Sequence, residues 1–321
     1  MPAIDDLTFT LMQKPECFAD AFNLLLYDGQ EVIRPEHLKA CDPRHVFYPD
    51  SKAERKIPNF HGERDVFRQC EFCKDGISYT LLLGIENQTN VDDFMSGRGM
   101  MYEVLALRMQ VQIIKEEARE HHELKTSVEI ISGSPRDRKL IPVITLIPFF
   151  SNRIWDGPRC THDLLNTDDP AILRFIPNYF INLLIPAEMT MERIGKLRSE
   201  LRVLFSFLHY SASGGNVKDL LNSDVAGQVI SWYTAALIKE LLHVDISLPQ
   251  DKKETTTMCQ MMENFAKENY DLGKTDGYDL GKTEVICGLL RAQMDISLIA
   301  QVSGVEVEKI REIQRESEGA N

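Results

Sequence analysis

Apolar residues recur at helical spacing near the start of the chain, at Phe18, Phe22, Leu25 and Leu26, and Asp28-Gly29 closes that run. Residues 34 to 62 carry Pro35, Pro43, Pro49 and Pro58 and read as loop. Two strand-like stretches follow, Val66 to Phe72 and Ile77 to Glu86, on either side of Asp75-Gly76. Asp-Gly between such runs predicts a hairpin. A helix is predicted over about Met95 to Glu120, where Met100, Val104, Leu107, Val111 and Ile114 form one apolar stripe. Ser127 to Ile131 and Leu140 to Phe150 are two further strand candidates, the second almost continuously apolar, as in a strand buried on both faces. Trp155-Asp156-Gly157-Pro158 is a turn, and Tyr179 to Leu184 is a short strand candidate. Helical text runs from Thr190 through Leu204 and again from Trp232 to Leu242. The order predicts a mixed α/β core with helical additions.

The end of the chain differs. Gly273, Gly277 and Gly281 recur every fourth residue in polar text, which suits a linker or a close-packed helix pair. A small helical tail, Ser297 to Gln314, follows. Ala300, Gly304, Val305 and Ile310 have helix-turn-helix spacing, but Glu306, Glu308, Glu312 and Glu316 oppose docking on phosphates. The tail therefore reads as a packing or homo-oligomerisation element. The expected division is residues 1–250 for the α/β domain and 251–321 for the linker and tail.

Composition changes the picture in two respects. With 36 basic and 49 acidic residues the net charge is −13, which works against phosphate binding by the whole surface but permits a local basic strip beside an acidic centre. Lys52, Arg55, Lys56, Arg64 and Arg68 form the densest basic stretch, either such a strip or a solvated loop. The seven scattered cysteines, the start of the chain and the lack of a long apolar run point to a cytoplasmic protein without a membrane partner. Cys70 and Cys73 have half a zinc-site spacing, but strand alternation sets them on opposite faces.

The hairpin carries the chemistry. A two-residue turn sets Lys74 opposite Ile77, and counting outward sets Asp65 opposite Glu86, with Cβ atoms about 4.5–5.5 Å apart. Gln88 then shares the face of Glu86. Facing carboxylates repel, and a hard divalent cation such as Mg²⁺ relieves the repulsion while acidifying water and polarising a phosphoryl oxygen. Spacing alone also allows a merely solvated hairpin end.

At this point the text resembles a known family. Arg64-Asp65-Val66, Asp75-Gly76 and Leu83-Gly84-Ile85-Glu86-Asn87-Gln88-Thr89 look like the PD-(D/E)XK nuclease family transposases, the Rpn or YhgA-like recombination-promoting nucleases. Met95, Arg98 and Tyr102, the Pro142 to Leu146 strand, Trp155 to Pro158, Asn178 to Leu183 and the Gly-x-x-x-Gly tail extend the likeness from about residue 16 to the end. The resemblance implies a restriction-endonuclease-like core, a mixed sheet flanked by helices, and DNA cleavage dependent on Mg²⁺ or Mn²⁺. It implies Asp65 and Glu86 as metal ligands and Asp65, Glu86 and Gln88 as catalytic residues. Gln88 stands where the wider superfamily has lysine, so a catalytically silent DNA- or protein-binding protein of the same fold is the alternative. Arg98 and Tyr102, four apart on one helix face, are candidate substrate-binding residues, with packing or a salt bridge as the other reading. Asp20 is a candidate additional acid, with a surface or capping role as the other reading.

Overall fold

The structure, a computed structural model, describes residues 3–41, 65–214, 225–243, 248–257, 294–303 and 305–319, with isolated positions between 220 and 290. The chain divides into two units, Met1–Cys259 and Gln260–Asn321. In the first, α1 (Ile4–Met12) and α2 (Pro15–Tyr27) precede β1 (Leu38–Ala40), β2 (Val66–Lys74) and β3 (Ile77–Ile85). Then come α3 (Met95–Glu120), α4 (Ser127–Ser132), β4 (Val143–Pro148), α5 (Pro170–Leu173) and β5 (Asn182–Leu184). Last are α6 (Met191–Ile194), α7 (Leu201–Ala212), β6 (Val229–Ser231), α8 (Trp232–Leu242) and β7 (Thr255–Thr257).

The main sheet has five strands in the order β1-β2-β3-β4-β5. β1, β2 and β3 pair antiparallel, whereas β3–β4 and β4–β5 pair parallel. The molecule is thus mixed α/β, with a mixed sheet flanked by helices. β6 and β7 form a separate antiparallel pair, so the first unit extends past residue 250. Among the described residues no helix is long and apolar enough to cross a membrane.

The hairpin is built as its turn dictates. Asp75 and Gly76 both have positive φ, 52° and 77°, the backbone that a two-residue turn requires and that Gly adopts without a Cβ clash. The ladder runs from Lys74↔Ile77 to Val66↔Ile85 without a bulge. One face carries Arg68 and Phe72 towards α2. Arg68 is buried over the Phe18 ring and donates to Gln13 O at 2.6 Å. It is therefore a core-locking cation and not part of an exposed basic strip; Lys52, Arg55, Lys56 and Arg64 lie outside the described residues.

Three expectations need correction. Ser127 to Ile131 is helical, not a strand. Thr126 Oγ1 accepts from Glu129 N, Glu129 reaches back to Thr126 N, and Gly133 closes the turn at φ 69°. That reciprocal cap outweighs the β-branched text. Leu38–Ala40 is a strand within text that read as loop. The α3 boundaries match, but its apolar stripe is not the buried face: Met100 is 40% and Val104 55% exposed. Buried instead are Met95, Ser96, Gly99, Tyr102, Ala106 and Ala118. Small side chains let the helix approach closely; a Cβ on Gly99 would lie 3.3 Å from the Tyr179 ring. Polar side chains complete the seat. Glu103 accepts from Thr145 N, and Gln110 bonds both N and O of Ile141.

The predicted strands at 140–150 and 179–184 are present but shorter, as β4 and β5. Beyond them Phe149 packs edge-on against Trp155 at 5.1 Å, in a cluster with Met95, Ile147, Ile181 and Ile185. This cluster holds the start of α3 against the ends of β4 and β5.

In the second unit, the last two helices, α9 (Ile296–Ser303) and α10 (Val307–Gly319), bury Ile299, Ile310 and Ile313 together with Ile286. Glu308 and Glu312 lie on the exposed side of α10. Gly273, Gly277, Gly281 and Gly304 lie outside the described residues.

Candidate active site

Just past the last ladder pair, Val66↔Ile85, the chain leaves the hairpin at Asp65 and at Glu86. Both line one cavity of about 430 Å³ with Asp5, Thr8, Asn87, Gln88, Thr89, Asn90, Arg98 and Tyr102. The structure thus brings together Asp65, Glu86, Gln88, Arg98 and Tyr102. Two backbone features place them. Glu86 N donates to Leu146 O at 3.0 Å and Gln88 N to Pro148 O at 3.1 Å, so the chain continues beside β4 after β3 ends. Asn87 N, between them, turns the other way and donates to Asp65 Oδ2 at 2.8 Å.

The electrostatics are those of an acidic, half-enclosed centre. Glu86 is 4% exposed. Burial pushes the Asp65 carboxyl above its ordinary value; the Asn87 hydrogen bonding and the Arg98 charge pull it back in part, and Asp5 pushes it up. The cation of the site, Arg98, is held first by Asp92, at 2.9 Å, and reaches Glu86 Oε2 at only 3.5 Å. Asp92 is the organiser of this turn. Its Oδ1 accepts from Phe94 N and its carbonyl from Met95 N, which fixes the start of α3 and hence the spacing of Arg98 and Tyr102.

The donor set suits a hard cation. The Asp65 and Glu86 carboxylates share the cavity with Asn87, whose side-chain oxygen is buried without a hydrogen-bond partner. Among the described residues no group of three or more His, Cys, Asp or Glu is arranged to hold a metal. A cation here would rest on two carboxylates, the Asn87 amide oxygen and water, a ligand set compatible with Mg²⁺ or Mn²⁺.

Asp20 is elsewhere. It is buried on α2, where its Oδ2 accepts from Arg198 N, Ser199 N and Ser199 Oγ at 2.9, 2.8 and 2.7 Å. It ties α2 to the segment before α7 and contributes nothing to the cavity. Cys70 is buried and Cys73 exposed, as alternation along β2 requires.

Sequence reasoning missed Asp5, Thr8, Asn87 and Asn90. Asp5 and Thr8 come from α1 and carry no local signal for this site. Asn87 reads as facing away from Glu86 in a regular strand; it enters the cavity because β3 has ended. Asp92 had a signal, an acidic residue two before the N-cap residue Phe94 of α3. Comparison with protein-family models, curated proteins and solved structures gives no match.

Proposed function

We propose that this protein is a metal-dependent DNA endonuclease with a restriction-endonuclease-like core, acting in recombination or mobile-element movement. The observation that carries the reading is the shared cavity of Asp65, Glu86 and Gln88, with Asn87 offering a buried amide oxygen. Asp65 and Glu86 would hold Mg²⁺ or Mn²⁺. When bound, such a cation polarises a phosphoryl oxygen and makes water more acidic. The protein's own residues supply the rest. Gln88, its backbone pinned to β4, donates and accepts hydrogen bonds and orients the attacking water. Arg98, presented by Asp92, faces the substrate phosphate, and Tyr102 forms the wall one helical turn further on. The last two helices serve self-association.

The second reading, a catalytically silent DNA- or protein-binding protein of the same fold, is favoured by one feature. Arg98 directs one guanidinium nitrogen towards Glu86, the contact a resident cation would compete with. Plasmid nicking decides between the two. The expected result is cleavage with Mg²⁺ or Mn²⁺, none with chelator and none by Glu86→Ala. Inactivity of the wild type across divalent metals and DNA forms favours the silent reading, and full activity of Glu86→Ala places catalysis elsewhere.

A further inference from the structure

A second cavity, of about 410 Å³, is lined in part by the loop that follows Gln88. Asn90 lines the first cavity and its neighbour Val91 lines the second. Arg153 and Asn152, from the loop after β4, line the second as well, with Ile154, Asp156 and Ser213. Arg153 Nη2 donates to Asn90 Oδ1 at 3.1 Å and its Nε to Ser151 Oγ at 3.5 Å. The guanidinium of a residue that walls the second cavity therefore bonds a residue that walls the first.

Its charge balance distinguishes it from Arg98 on α3. Arg98 is offset by Asp92 and Glu86. Arg153 is exposed and held by a neutral amide and a neutral hydroxyl; among the described residues no carboxylate lies within ion-pair distance of it. Asp156 is the acidic group lining the same cavity. The loop carrying Arg153 is itself anchored, because Trp155 packs in the Phe149 cluster and its N–H groups bond Pro158 O and Glu188. A cation held in place by neutral groups, in a chain of net charge −13, is set to receive an anion from outside.

We infer that Arg153 is a substrate-positioning residue that grips a backbone phosphate of the DNA strand next to the one in the carboxylate cavity, the strand crossing the Asn90–Arg153 contact into the second cavity. This rests on the DNA-endonuclease reading and adds to it the path of the strand. A phosphate contact carries no base information, so its effect is uniform over sequences.

The test is equilibrium binding of a fluorescent DNA oligonucleotide to the full chain in chelator, over a range of salt, for wild type, Arg153→Gln and Arg153→Lys. Arg153→Gln should bind about tenfold more weakly, the effect of losing one charge-assisted contact. The slope of log K against log salt should fall by about 0.7–0.9, the loss of one phosphate contact. Arg153→Lys should restore the slope, and melting temperatures of the three proteins should agree, since Arg153 is exposed. With metal present, Arg153→Gln should raise KM and leave kcat near wild type. Unchanged affinity and slope in Arg153→Gln, with wild type binding DNA, overturns the Arg153 assignment alone. A wild type that binds no DNA overturns the DNA reading and this assignment with it.

Discussion

Replacing Asp20 by alanine separates a structural acid from a catalytic one. A single oxygen, Oδ2, accepts from two backbone N–H groups and one hydroxyl, all within 2.7–2.9 Å. Removing the carboxylate leaves three donors facing the gap, at about 1–3 kcal/mol for each that water does not reach. Arg198 is exposed and Ser199 half-buried, so water satisfies part of the set. The expected loss is about 3–4 kcal/mol, within the range for stripping one partner from a buried charged contact. Asp20→Asn retains an acceptor without the charge, and neutral hydrogen bonds are about half as strong, so about half that loss is expected. The assay is urea unfolding of the full chain. The midpoint of the main transition should fall in the order wild type, Asp20→Asn, Asp20→Ala, with the slope unchanged. Both variants should keep the metal-induced stabilisation of wild type in proportion to the folded fraction. A loss below about 1 kcal/mol in Asp20→Ala would refute the three-bond account. Loss of the metal response with stability intact would return Asp20 to the active site.

Further outcomes concern the two carboxylates, Gln88 and the last two helices. Mg²⁺ or Mn²⁺ should raise the melting temperature of wild type by mass action but not that of the Asp65→Asn/Glu86→Gln double variant; equal shifts refute the site. Burial holds the Asp65 carboxyl above its ordinary value, so protons displace metal at higher pH than from an exposed aspartate, and the shift should fade as pH falls through that raised value. By the same sign, in chelator the ionised Asp65 weakens the fold as pH rises past the ordinary carboxylate range. Asp65→Asn should then match or exceed wild type in stability at neutral pH, and a wild type that is clearly the more stable contradicts this. In single-turnover cleavage Gln88→Ala should be slower by about 10²-fold, as for one lost oriented donor, and Gln88→Lys should remain active; wild-type rate in Gln88→Ala removes Gln88 from the chemistry. A chain ending at Cys259, where the first unit ends, should keep the α/β fold and lose self-association; light scattering that gives an unchanged oligomer mass rejects the assembly role of the last two helices.

The hairpin was legible because two local rules suffice for it. Asp75-Gly76 demands positive φ at both turn positions, and a period of two then determines which residues oppose one another. That register carries the two strands to Asp65 and Glu86, just past its last pair, and the span of α3 follows from its uninterrupted helical text. What local pattern did not decide was partnership across the chain. The seat of α3 depends on Gly99 meeting Tyr179 and on Gln110 meeting Ile141, contacts with no trace in its own periodicity. Asp20 on α2 has nothing beside it to announce Ser199 in the segment before α7. Asp5 reaches the site only because the fold brings α1 to the cavity at the end of the hairpin, and Asn87 enters it only because β3 stops at Ile85. Sequence alone determined the elements whose geometry is set by backbone torsion and side-chain period. The tertiary structure decided which buried charges meet which donors, because a hydrogen bond depends on distance in space and not on separation along the chain.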